Sequence, residues 1–290
     1  MTRWLTYQRE RFPLARHVPL VTLTSACVLA YSAHARGATP PWAALVPATL
    51  IGLTLFAQLR VLDEFKDAAE DAAHRPYRPV PRGLVSLREL AGIGVALAAL
   101  QLLLTLALRP AALPLLLLTW TFMLLMHRDF FLTHLHDRPG IVLLTHQPVV
   151  PLVQLSVSAW DWAGRGASAG ALTWLAVASV GAGLTLEIGR KLRAPQAEEP
   201  GVTTYTAAWG ARRAVLAWSA AAITGAAAVL LGTAGQVLPA ALALGTLAPL
   251  LLAAAHFPAQ PTPSAARRLE PLSAVAVLGV YLGLAFGRPA

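Results

Sequence analysis

The chain has a single cysteine, Cys27, in 290 residues, so no disulfide within it can staple the fold. Cys27 lies inside an apolar run, where a thiol is expected to be buried and inert. Charge is scarce as well. Only 13% of the residues are Asp, Glu, Lys or Arg, roughly half the share in a soluble domain. Together with 56% hydrophobic residues and a mean hydropathy of +0.58, this shortage excludes an ordinary soluble enzyme. Acidic residues are scarcer than basic ones, 14 against 23. In so apolar a chain the excess reads as arginine-rich loops facing anionic lipid, and nucleic acid is not an expected partner. The chain also lacks a Walker-type glycine-rich loop and a G-x-S-x-G nucleophile motif, which removes two common routes to phosphate and acyl chemistry.

What is present is a series of apolar runs. A helix needs about 20 such residues to cross the hydrocarbon core. Nine spans are expected, at 16–35, 42–62, 89–108, 111–127, 140–160, 169–189, 211–231, 236–256 and 271–287. Pro148 and Pro151 should kink or break the fifth. Ala33-His34-Ala35 matches a leader cleavage pattern, but the many later spans favour an uncleaved first helix. All but four of the 23 Lys and Arg residues fall in one alternating set of connections; the other set holds only Arg36, Arg109, Arg165 and Arg288. Positive charge marks the cytoplasmic side. The N-terminus is therefore expected in the cytoplasm and the C-terminus outside, in a bacterial-type plasma membrane. The expected fold is an all-α, polytopic membrane bundle of nine transmembrane helices, one domain over 1–290. Its long charged loops, 63–88 and 190–210, lie on one face and can close as a cytoplasmic cap over one lipid-tail cavity.

The first of those loops comes directly after the second span. Asp63, Asp67 and Asp71 stand four apart and share one face of a continuing helix. Three carboxylates on one stripe repel unless a cation sits between them. At the end of a membrane helix, a hard divalent cation holding a phosphorylated ligand fits that need. The alternative is a solvated helix end, with Lys66 paired to Glu70 and Glu64 pointing to water. Arg75-Pro76 should stop the helix. Pro76, Pro79 and Pro81 should stiffen the segment after it, and Ser86 with Glu89 has capping-box spacing for the third span.

Asp63-Glu64-Phe65-Lys66-Asp67-Ala68-Ala69-Glu70-Asp71, followed by Arg75-Pro76-Tyr77-Arg78-Pro79, resembles the first aspartate-rich motif of the UbiA family of intramembrane prenyltransferases. That motif reads N-D-x-x-D-x-x-x-D and then R-P-x-R-P-x-P-x-G. Asp63 takes the Asn position, Glu64 the first Asp, Asp67 and Asp71 the other two, and Arg82 replaces a small residue before Gly83. The resemblance implies transfer of a prenyl group from an isoprenyl diphosphate, held through magnesium, to an acceptor at the bilayer. It implies Asp63, Glu64, Asp67 and Asp71 as metal ligands, Asp67 and Asp71 also as catalytic residues, and Arg75 and Arg78 as diphosphate ligands.

The family's second acidic motif is absent. Aligning Gly201, Thr204 and Gly210 places Arg190, Arg193 and Ala197 at its three aspartates, with Glu187 one turn earlier as a remaining metal candidate. Arg190, Lys191 and Arg193 either grip the diphosphate directly by charge-assisted hydrogen bonds or anchor the sixth span at the membrane face. His146, with Gln154 two turns on, is either a wall of the acceptor pocket or a packed histidine bonded to a neighbour or to a carbonyl freed by Pro148. His127, Asp129, His134, His136 and Asp137 lack a third clear ligand for zinc and read as interfacial; Arg128 among them lies on the face of both charged loops and is a catalytic candidate. The tryptophans read as interfacial anchors. The rival to the enzyme is a non-catalytic member of this architecture, a transporter or lipid-binding scaffold.

Overall fold

Lipid offers no partner to backbone N–H and C=O groups, so long apolar runs satisfy them internally as helices. The computed structural model describes residues 3–132, 138–199 and 201–288, and among these it is helical with no strand. The helices are α1 (Arg3–Arg11), α2 (Leu14–Ala35), α3 (Leu45–Lys66), α4 (Ala68–His74), α5 (Leu87–Leu108), α6 (Leu113–His127), α7 (Pro139–His146), α8 (Val149–Trp162), α9 (Ala169–Gly189), α10 (Tyr205–Trp209), α11 (Ala211–Gly232), α12 (Val237–His256) and α13 (Pro263–Phe286). Counting α7 and α8 as one broken element, nine helices among the described residues are long and apolar enough to cross a membrane.

Those nine are the nine expected, with two local differences. The last helix starts at Pro263 rather than near 271, because the Thr262 side chain caps it and Pro271 is accommodated within it. The helix after the second span is not continuous. Asp67 leaves the helical region, ending α3 at Lys66 and separating it from α4. The expected break in the fifth span falls at Gln147-Pro148, where proline cannot donate to the preceding turn. The Ser86–Glu89 capping box forms, with Ser86 N–H donating to Glu89 and Glu89 N–H to Ser86 Oγ.

The bundle closes on itself. α2 packs on α3, α8 and α13; α9 packs on α8, α11 and α13; α12 packs on both α11 and α13; α5 lies outside, against α3. The α9–α11 contact brings two backbones together: a Cβ on Gly181 would stand 2.5 Å from the Gly225 nitrogen, so only glycine permits this approach. Two tryptophans are core residues rather than interfacial anchors. Trp160 is buried in the core, and Trp218 is fully buried, its indole N–H donating to Thr185 O and Ser273 Oγ.

Candidate active site at the cavity mouth

One cavity of about 730 Å³ opens among α2, α3, the α7–α8 break, α9 and α13. Its deeper wall carries Phe56, Val150, Ala182 and Tyr281; its mouth carries Asp63, Asp67, Arg75 and Arg78 from one connection and Glu187, Arg190, Lys191 and Arg193 from the other. The two connections touch. Gly201, at φ +73°, lies so close to His74 that a Cβ there would stand 2.4 Å from the ring. Any other residue at 201 would be strained at this positive φ and would force the His74 ring to move.

The carboxylates after α3 have three different fates. Asp63 and Asp67 line the cavity. Asp63 faces Arg60 at 3.3 Å and remains 41% exposed, while Asp67 has no side-chain partner among the described residues. Glu64 points the other way, fully buried in an ion pair with Arg11 of α1. Asp71 is also buried, accepting from Arg75 at 2.9 Å and from Arg78 at 2.6 Å. The shared stripe of three repelling aspartates therefore does not form, because the turn at Asp67 rotates α4 and Asp71 is neutralised by its own arginines. Asp71 instead fixes Arg75 and Arg78 so that both guanidiniums line the mouth.

The basic turn after α9 is balanced by carboxylates. Glu187 accepts from Arg190 Nε at 2.6 Å and from Lys191 at 3.0 Å, and Arg193 donates to Glu199 at 2.9 Å. Lys191 also lies 5.5 Å from the centre of the Tyr205 ring. Burial opposes the Arg190 charge, but Glu187 and then Asp63 more than offset it and raise its pKa. That coupling to Asp63 joins the two sides of the mouth electrostatically. Burial, and then Glu187, push the Tyr205 phenol well above its ordinary range, so it stays a neutral wall residue.

A third polar group was not legible beforehand. Lys66 does not pair with Glu70. It reaches Asp129 and lies 2.9 Å from His146 Nε2, which itself stands 3.1 Å from Asp129 Oδ1. Asp129, Phe130 and Phe131 all have positive φ, a conformation that costs a non-glycine residue energy. That tight turn aims Asp129 back into the bundle. His146 is bonded to its neighbours, and it also lines the cavity, as does Gln154. Arg128 is exposed and lies off the cavity lining. His134, His136 and Asp137 lie outside the described residues.

Hard oxygen donors suit magnesium. Asp63 and Asp67 fit that role, since both face the cavity and Asp67 has no side-chain partner among the described residues. Among the described residues no three His, Cys, Asp or Glu side chains come together as a metal cluster. Glu64, Asp71 and Glu187 are each engaged with arginine or lysine.

The sequence model of the UbiA prenyltransferase family matches residues 23–277. The chain belongs to this family. Membership supports the general class of membrane prenyltransferase and, with nine apolar helices, makes the chain an integral membrane protein. The fold is that of solved UbiA homologues. An apo UbiA homologue from Aeropyrum pernix K1 superposes with a TM-score of 0.65 at 16% identity, over 93% of this chain and 97% of that one. A digeranylgeranylglyceryl phosphate synthase structure superposes with a TM-score of 0.62 at 17% identity, over 98% and 99%. No curated protein matches the sequence.

Proposed function

We propose that this UbiA-family chain transfers a prenyl group from an isoprenyl diphosphate to an acceptor at the membrane. The observation that carries the reading is the meeting of the acidic end of α3 and the basic turn after α9 at one cavity mouth. In the reaction the bond between the prenyl carbon and the diphosphate oxygen breaks, and its electron pair leaves with pyrophosphate. The acceptor then bonds to the allylic carbon and releases a proton. Arg75, Arg78, Arg190, Lys191 and Arg193 are assigned to the diphosphate, as fixed N–H donors that stabilise the charge developing on the leaving group. A magnesium ion held by Asp63 and Asp67 would supply further Lewis-acid stabilisation of that leaving group. Phe56 and Tyr281 line the apolar interior that shields the prenyl chain from water. His146 and Gln154 are assigned to the acceptor side. Segments 63–88 and 190–210 are read as the cap, on the cytoplasmic face.

The basic turn supplies the test. Lys191 and Arg193 each keep donors beyond those used on Glu187 and Glu199. Charge-assisted contacts are worth roughly 1.5–3 kcal/mol each, so the K191Q/R193Q double variant should bind an isoprenyl diphosphate at least about tenfold more weakly. Titration in detergent, after confirming correct insertion, measures this. Full retained affinity would make the turn an anchor and favour the non-catalytic scaffold. Orientation has its own check: a reporter fused at Ala290 should behave as extracytoplasmic, and a cytoplasmic signal would overturn the topology.

A further inference from the structure

The membrane face opposite the cavity mouth has few charges, and they are concentrated. Of the four arginines expected there, Arg36 follows α2, Arg109 joins α5 to the short turn before α6, and Arg165 follows α8. These three surround one carboxylate, Asp161 near the end of α8. Asp161 has no solvent exposure. Its oxygens accept from Arg36 Nη2 at 2.5 Å, from Arg36 Nε at 3.1 Å and from the Ser32 hydroxyl at 2.5 Å. Arg165 donates to the Asp161 backbone carbonyl, at 3.5 Å, and not to its carboxylate.

The single negative charge is thus committed to Arg36. Arg109 makes no ion pair or hydrogen bond from its side chain among the described residues, and its Nε is buried without a partner. A buried donor left unmade is costly, more so on a cation. Burial, and then the like charge of Arg165, hold the Arg109 guanidinium below its ordinary pKa. The stretches of chain that carry the two arginines are pressed together: a Cβ on Gly164 would lie 3.1 Å from Ala111 Cβ. A half-buried cation, Arg109, and an exposed one, Arg165, are therefore brought near each other where a membrane surface is expected, with Asp161, the carboxylate near them, already paired to Arg36. Beside them the apolar surface continues into the bilayer. Leu106 and Leu108 on α5 and Leu117 and Leu118 on α6, the two helices that Arg109 lies between, are all exposed.

We propose that Arg109 and Arg165 form a binding site for the phosphate of an anionic phospholipid, with its acyl chains along the exposed leucines of α5 and α6. The site is separate from the cavity and holds whether or not the chain catalyses prenyl transfer. A lipid phosphate supplies the acceptor that Arg109 Nε lacks and the charge that Asp161 cannot spare. Its tails cover leucines that water would not.

The test uses the full chain in detergent with phosphatidylglycerol, phosphatidylcholine or inorganic phosphate added, read by native mass spectrometry and thermal unfolding. The wild type should retain phosphatidylglycerol over phosphatidylcholine and be stabilised by it. The R109Q/R165Q variant should lose at least about tenfold in phosphatidylglycerol affinity. R165Q alone, at an exposed position that cannot endanger folding, should lose part of that affinity. R288Q, on the same face but bonded through its backbone to Gln236, should retain it all. Equal phosphatidylglycerol affinity in wild type and R109Q/R165Q would overturn the site, as would an equal loss in R288Q. Inorganic phosphate stabilising the wild type as well as phosphatidylglycerol does would overturn the lipid assignment.

Discussion

Asp67→Ala is expected to abolish magnesium-dependent binding of an isoprenyl diphosphate and to lower turnover at least about a hundredfold. Asp67 faces the cavity and has no side-chain partner among the described residues, so its carboxylate contributes nothing to packing that its loss could disturb. Thermal unfolding in detergent should therefore move by less than about 0.5 kcal/mol equivalent. The pairing of a large functional loss with an unchanged fold is what marks a ligand residue. Chelating magnesium from the wild type should reproduce the variant's weakened binding, and adding magnesium back should rescue only the wild type. A variant that still responds to magnesium would remove Asp67 from the site. Because no third carboxylate joins Asp63 and Asp67 among the described residues, binding should saturate with fewer magnesium ions than a two-metal site requires, with arginine and lysine supplying the remaining positive charge.

The fold was largely legible because the bilayer imposes its own pattern. Length and apolar composition located the nine spans, Pro148 located the break, and Ser86 with Glu89 located a helix start. These are local properties, carried by residues a few positions apart. The site was legible only in part, since a motif names residue types but not the direction each side chain takes. Periodicity put Asp63, Asp67 and Asp71 on one stripe; the turn at Asp67 undoes that stripe. Glu64 stood at the family's first aspartate, yet it pairs with Arg11, 53 residues away. Nothing in the spacing near Glu64 announces that partner, and α1 was not expected as a helix. Lys66 had a near neighbour of opposite charge in Glu70 and instead reaches Asp129, 63 residues away, because the broken helix leaves Glu70 to Arg75. The cluster around Asp161 was present in the sequence only as a short roster of arginines outside the basic loops; their convergence is a property of the bundle.

Asp71→Ala should behave in the opposite way to Asp67→Ala. Asp71 is 2% exposed and holds Arg75 and Arg78 together. Removing one member of a buried ion pair typically costs about 3–5 kcal/mol, because the partner is left uncompensated. Here the two arginines are 11% and 22% exposed and can partly re-solvate, so the lower end, about 3 kcal/mol, is expected. For a chain of this length that lowers the unfolding temperature by roughly 5–10 °C. Diphosphate binding should weaken too, but through loss of two positioned guanidiniums rather than loss of metal, so the residual binding should remain magnesium-dependent. Asp71→Asn separates shape from charge: it can still accept a hydrogen bond but leaves both cations unpaired, so it should resemble Asp71→Ala in stability. The decisive comparison crosses the two positions. If Asp71→Ala left the unfolding temperature unchanged and eliminated the magnesium response, Asp71 would be a metal ligand and its ion pairs incidental. If Asp67→Ala were the destabilised variant, the division of labour between the two aspartates, one facing the ligand and one building the arginine wall, would be reversed.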